Sequence, residues 1–145
     1  MVRSLARAAR LGAAALAVAA CAAAASDWPI RPYYDFVHFF SIGRFDRTLA
    51  SFADDAIVTA GEACRDDDPC VGKKAIAARY LPALRAGDLP LPLVDLRFDG
   101  RWLHTRGDRA WRAAPGGDIV ARHGSHRIEL RDERIRRLEF RWSEE

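Results

Sequence analysis

Val94-Asp95-Leu96-Arg97-Phe98-Asp99-Gly100-Arg101-Trp102 lies in the stretch, from Leu89 onward, where this chain's period changes to two. Val94, Leu96, Phe98 and Trp102 alternate with Asp95, Arg97, Asp99 and Arg101, the two-residue repeat of a strand with one apolar and one solvated face. It reads as one long strand. Downstream, Arg106-Gly107-Asp108 reads as a turn and Arg109 to Ala114 as a strand around Trp111. Pro115-Gly116-Gly117-Asp118 is the strongest turn signal in the chain. Ile119 to Leu130 and Ile135 to Trp142, joined by Arg131-Asp132-Glu133-Arg134, complete a meander.

Upstream the period is helical. Tyr33, Phe36, Val37 and Phe40 recur at helical spacing from Pro32, and Gly43 interrupts them. Phe45, Leu49 and Phe52 form a second amphipathic set, which Asp54-Asp55 ends. Ala56 to Ala60 is a short strand candidate. Val71 to Leu84 carries Ile76, Tyr80, Leu81 and Leu84 at helical spacing, and Pro82 should kink or shorten it. Helices first and antiparallel strands after suggest an α+β layer with one sheet curled over helices.

The N-terminus reads as an address. Arg3, Arg7 and Arg10 precede an apolar run from Leu11 to Ala25, which is the layout of a secretory signal over residues 1–25 and too short for a spanning helix. Val18-Ala19-Ala20-Cys21 is similar to a lipoprotein cleavage box, with Cys21 as the lipidated residue, while Ala23-Ala24-Ala25 suits ordinary signal peptidase. Cys64 and Cys70 bracket Arg65-Asp66-Asp67-Asp68-Pro69 and read as a disulfide staple, which leaves Cys21 as the odd cysteine. These readings place the protein outside the cytoplasm, in the periplasm or cell envelope, with a lipid anchor as its membrane link if Cys21 is the processed residue and no link otherwise.

Removing the signal takes Lys plus Arg from 23 to 20, equal to the 20 acids, so the basic character of the whole chain disappears. A nucleic-acid partner is therefore not expected. Residues 26–145 suffice for one domain with a single core.

Four pieces of this stretch carry a resemblance: Ile42-Gly43-Arg44-Phe45-Asp46, Ser51-Phe52-Ala53-Asp54-Asp55-Ala56, Val71-Gly72-Lys73-Lys74-Ala75-Ile76 and Arg131-Asp132-Glu133-Arg134-Ile135. In this order and spacing, Tyr33 to Trp142 resembles the nuclear transport factor 2-like (NTF2-like) superfamily in its SnoaL-like branch. The resemblance implies a cone of three N-terminal helices packed in a curved, mostly antiparallel sheet around an apolar cavity, with homodimers formed through the outer sheet face. It does not carry over the ketosteroid isomerase site. The positions of that reaction's base and tyrosine donor hold Ala60 and Phe36, and its aspartate donor falls at about His126.

Polar residues in an apolar strand phase supply the candidate chemistry. His104 continues the Val94–Trp102 face, and Arg122 and His126 share a face with Val120, Ile128 and Leu130. His104 and His126 are the candidate acid/base pair, since imidazoles titrate near neutrality. Tyr34, His38, Trp102 and Arg122 are candidate ligand contacts, with Arg122 suited to an anionic group. The alternative for these groups is structural, with His104 and Arg122 solvated at the rim and His126 bonded to a backbone carbonyl. No metal site and no cofactor are expected: His38, His104, His123 and His126 lack zinc-helix spacing, and Asp66-Asp67-Asp68 lacks spaced calcium ligands.

Three functions stay open. The leading one is an exported domain binding a small, partly apolar molecule or a protein partner through its cone. A SnoaL-like enzyme using histidine acid/base chemistry on a small hydrophobic substrate is the second. The third is a dimerisation module whose cavity is filled, with Trp102, Trp111 and Trp142 closing the cone.

Overall fold

The computed structural model describes residues 28–112, 117 and 119–143. The leader, Cys21 and most of the Pro115–Asp118 turn lie outside the described residues, as does the side chain of Trp111.

Helix α1 (Arg31–Ser41) begins with proline in its first turn, where a missing N–H costs nothing, and buries Pro32, Tyr33 and Phe36. Gly43, at φ 75°, turns the chain into α2 (Phe45–Ala50), whose Thr48 hydroxyl donates back to the Arg44 carbonyl at 2.9 Å. Strand β1 (Phe52–Ala60) follows at once. Phe52 is thus the first strand residue, not the end of a helix, and Asp54-Asp55 lies inside the strand instead of ending a helix. A register shift between Phe52 and Ile57 turns both aspartates outward, where they meet Lys73 at 3.0 Å and Arg136 at 3.2 Å.

Cys64 and Cys70 are disulfide-bonded, Cα to Cα 5.1 Å, and Cys70 opens the short strand β2 (Cys70–Val71) beside β1. The third rod is composite: α3 (Gly72–Ala75), a π-turn (Ile76–Tyr80) and α4 (Leu81–Ala86). Leu81 N–H donates to the Ile76 carbonyl, five residues back. The wider turn sits against Pro82, which has no N–H to continue an ordinary ladder. Pro82 therefore does not shorten this helix, which runs on to a left-handed Gly87 at φ 77°. Only two of the three rods precede the sheet in sequence.

The expected long strand is a hairpin. Strand β3 (Val94–Phe98) and β4 (Trp102–Arg112) pair antiparallel around Asp99-Gly100-Arg101, where the Asp99 carboxylate accepts from the Arg101 and Trp102 amides at 3.1 and 2.8 Å. Those amides hold the Asp99 carboxyl down at about 2. Arg106-Gly107-Asp108 is not a turn: it lies within β4, with Gly107 opposite Gly124 of β5 (Ile119–Arg131). The β5–β6 turn is where it was expected, with Asp132 and Glu133 both at positive φ, before β6 (Arg134–Trp142).

The six strands form one sheet in the order β2-β1-β6-β5-β4-β3, antiparallel except for β1 with β6. Its concave face carries Val58, Leu103, Ile128, Ile135, Leu138 and Phe140, packed against Phe36, Ile76 and Tyr80 of the helices. This is an α+β cone. Burying aliphatic and aromatic side chains of this size contributes roughly 1.5–3 kcal/mol each.

Candidate functional site

The cone's open end is set by strand direction. Strands β1 and β6 run parallel, so their last residues, Ala60 and Trp142, emerge at one end together with the N-terminal half of β5. There, Gly61, Glu62, Ala63, Ala83, Asp88, Leu89, Arg122 and Trp142 enclose an open cleft of about 430 Å³.

One wall is the stapled loop. Ala60 and Cys64 exchange backbone hydrogen bonds at 2.7 and 3.2 Å, and the Arg79 guanidinium donates to the Ala63 carbonyl at 2.8 Å. The acidic run serves as anchor points. Asp66 pairs with Arg141 at 3.1 Å, Asp67 with Arg65 at 3.0 Å and Asp68 with Arg79 at 2.9 Å. Among the described residues, no three His, Cys, Asp or Glu side chains gather as a metal site.

The opposite wall is an aromatic column leading inward. The Arg122 guanidinium lies 4.5 Å over the Trp142 ring, Phe140 meets Trp142 edge-on at 4.8 Å, and His126 lies 4.6 Å from Phe140. Two glycines make room for the column. A Cβ on Gly124 would stand 2.3 Å from Phe140, and one on Gly107 would stand 2.7 Å from the His126 ring.

His126 is only 3 % exposed. Burial pushes its pKa down to about 3, against a small opposing effect of a hydrogen bond with the Pro90 carbonyl. That bond needs an N–H donor, so the ring is neutral and protonated on the side facing Pro90, while Nδ1 is buried without a partner among the described residues. Pro90 belongs to a strap, Leu89-Pro90-Leu91-Pro92-Leu93, that leads from α4 to β3. Its second anchor is Tyr33, whose hydroxyl donates to the Pro92 carbonyl at 2.5 Å and whose pKa burial pushes up to about 12. The Tyr80 hydroxyl is buried in the same core without a partner among the described residues.

The structure separates the other candidates. His104 pairs in register with Arg127, and His126 with Thr105, so the two imidazoles point to opposite faces of the sheet. His104 is on the convex face beside Asp99, at 3.3 Å. Trp102 is there too, with Arg127 4.1 Å over its ring, so it does not close the cone. The hairpin at Asp99–Arg101 reverses the phase, and the inward residues of β4 are Leu103, Thr105 and Gly107. Tyr34 stacks on Trp28 at 4.6 Å, and Trp28 shares a cleft with Arg134, which is at the opposite end of β6 from Trp142. His38 is exposed on α1, edge-on to Phe39 at 5.2 Å. Of the named candidates, only Arg122 lines the open cleft. Trp142, named only as a residue that would close a filled cone, lines it too, while Leu89, Ala83 and Gly61 to Ala63 were missed as lining. The glycines inside β4 and β5 were the available signal for a close approach.

No protein-family model and no curated protein match the chain. Solved structures do. An NTF2-like protein from Burkholderia xenovorans LB400 superposes with a TM-score of 0.61 at 15% identity, over 79% of this chain and 88% of that one. TerC, co-crystallised with polyporic acid, gives 0.60 at 15% identity over 79% and 91%. A candidate polyketide cyclase from Sinorhizobium meliloti gives 0.52 at 23% identity over 75% and 90%. The chain has the NTF2-like fold.

Proposed function

We propose that this cone binds a small, partly apolar molecule at its open end. The observation that carries the reading is the cleft of about 430 Å³, with Trp142, Leu89 and Ala83 as apolar walls and a few polar groups at its edge. The likeness to TerC, crystallised with a small molecule, and to a candidate polyketide cyclase supports small-molecule work in general terms. The disulfide-stapled wall favours a preformed site, which lowers the ordering cost of binding.

Export is part of the proposal. A buried Cys64–Cys70 pair suits an oxidising compartment, and no helix among the described residues is long and apolar enough to cross a membrane. With the leader cleaved, the mature chain starts at Cys21, lipidated, or after residue 25 at Ser26; the mass of the envelope-purified protein distinguishes them.

The test is titration of the oxidised protein with the neutral dye N-phenyl-1-naphthylamine. Saturable one-to-one binding is expected, and Trp142→Ala should weaken it by about fivefold or more through loss of aromatic area. Absence of saturable binding, or binding indifferent to Trp142, defeats the reading. The acid/base alternative has less support, because its suggested partner His104 lies on the opposite face of the sheet from His126.

A further inference from the structure

The charged groups of the open-end cleft are unequally satisfied. Asp88 is engaged with a partner of its own, and Glu62 lies in the field of Arg65. The neighbouring arginines are committed, Arg79 to Asp68 and Arg141 to Asp66. Arg122 has no carboxylate partner among the described residues; it lies against the indole of Trp142, whose ring centroid is 4.5 Å from the guanidinium carbon. Phe140, edge-on at 4.8 Å, orients that indole in turn.

A guanidinium seated over an aromatic ring, its carbon 4.5 Å from the ring centroid, loses water on the ring side, and its N–H edge meets no carboxylate among the described residues. That edge matches a planar carboxylate with two parallel hydrogen bonds. We propose that the cleft takes a planar organic anion, its carboxylate (or an equivalent flat oxyanion) bound edge-on by Arg122 and its apolar body against Leu89, Ala83 and Trp142. This rests on the cleft being a binding site, as proposed above, and names the class of molecule it selects. A bare inorganic anion would leave the apolar walls unused. A neutral ring would leave Arg122 unpaired.

Two probes with the same ring system separate charge from shape: 2-naphthoate and 2-naphthamide, measured by equilibrium dialysis against the oxidised full chain. Naphthoate should bind about tenfold more tightly than the amide, as a charge-assisted bidentate contact allows, and rising salt should erode the difference. Arg122 is exposed, so Arg122→Gln should fold normally. It should abolish the preference by lowering the naphthoate affinity to that of the amide. Equal binding of both probes to the unaltered protein overturns the anion inference and leaves the cleft reading standing. Binding of neither probe, or binding untouched by Trp142→Ala, overturns both.

Discussion

At the scale of single residues, the cone depends on two glycines and a histidine. Gly124 lets the Phe140 ring lie on the sheet; an added Cβ would also meet the Arg141 carbonyl at 2.9 Å, which is backbone and cannot swing away. Gly124→Ala should therefore destabilise the fold by about 1–3 kcal/mol, the usual cost of overpacking. Urea unfolding measures it, and a loss below about 0.5 kcal/mol would mean the strand yields at no cost. His126 gives a pH signature with a definite sign. Its pKa is about 3 in the folded chain and near 6.5 unfolded. As pH falls below 6.5 the unfolded chain takes up the proton and the native one does not. The stability of the neutral, buried ring is complete above that pH and drains away toward pH 3, by an amount on the order of a few kcal/mol. Relative to His126→Gln, the unaltered protein should lose stability between pH 6.5 and 4; parallel pH curves for the two would show that the ring is not held neutral.

At the scale of elements, the stapled loop and the strap frame the cleft. The Cys64–Cys70 bond closes a seven-residue ring, worth about 2.4 kcal/mol on the chain-entropy estimate. Both cysteines are buried. The double variant Cys64→Ala/Cys70→Ala should lower unfolding stability by about that amount and weaken N-phenyl-1-naphthylamine binding, because Glu62 and Ala63 sit in the freed wall. Unchanged binding in a destabilised variant would show that the wall is set by Arg79 alone. The same elements show what sequence reasoning could reach. Helix α1, β5, β6 and the cysteine pair were legible because apolar periodicity and turn residues agreed there. The β3–β4 hairpin was not, since Asp99-Gly100-Arg101 keeps the polar alternation going through the reversal. Trp102 then seemed to face inward, although two arginines cover it outside. The true inward set of β4, Leu103-Thr105-Gly107, carries too little apolar character to announce itself. The strap alternates leucine with proline, a two-residue repeat whose prolines lack the N–H of a paired strand; its burial and its two carbonyl anchors reveal what it does. The cleft escaped because it is assembled from the ends of five segments, and ends carry no repeat.

At the scale of the whole molecule, the convex sheet face is the remaining large surface, and the likeness to NTF2-like proteins led us to expect a homodimer through it. Its charges are mostly paired within the chain: Arg101 with Glu129 at 2.5 Å, Arg127 with Glu139 at 3.9 Å, and Arg137 with Glu139 at 3.7 Å. Trp102, half-buried between Arg127 and Arg101, is its central apolar feature. Exposed pairs of this kind contribute about 0–1 kcal/mol each, so they would set the register of two sheets more than they would drive association. The driving force would have to come from Trp102, as large aromatic anchors usually provide it. We therefore expect sedimentation to show a dimer at micromolar concentration that Trp102→Glu converts to monomer, because a carboxylate there meets its own copy across a two-fold axis. The same variant should bind N-phenyl-1-naphthylamine unchanged, since Trp102 and the cleft lie on opposite faces of the sheet. A monomer in the unaltered protein would leave the open end as the molecule's working surface, and loss of dye binding in Trp102→Glu would show that the two faces are coupled.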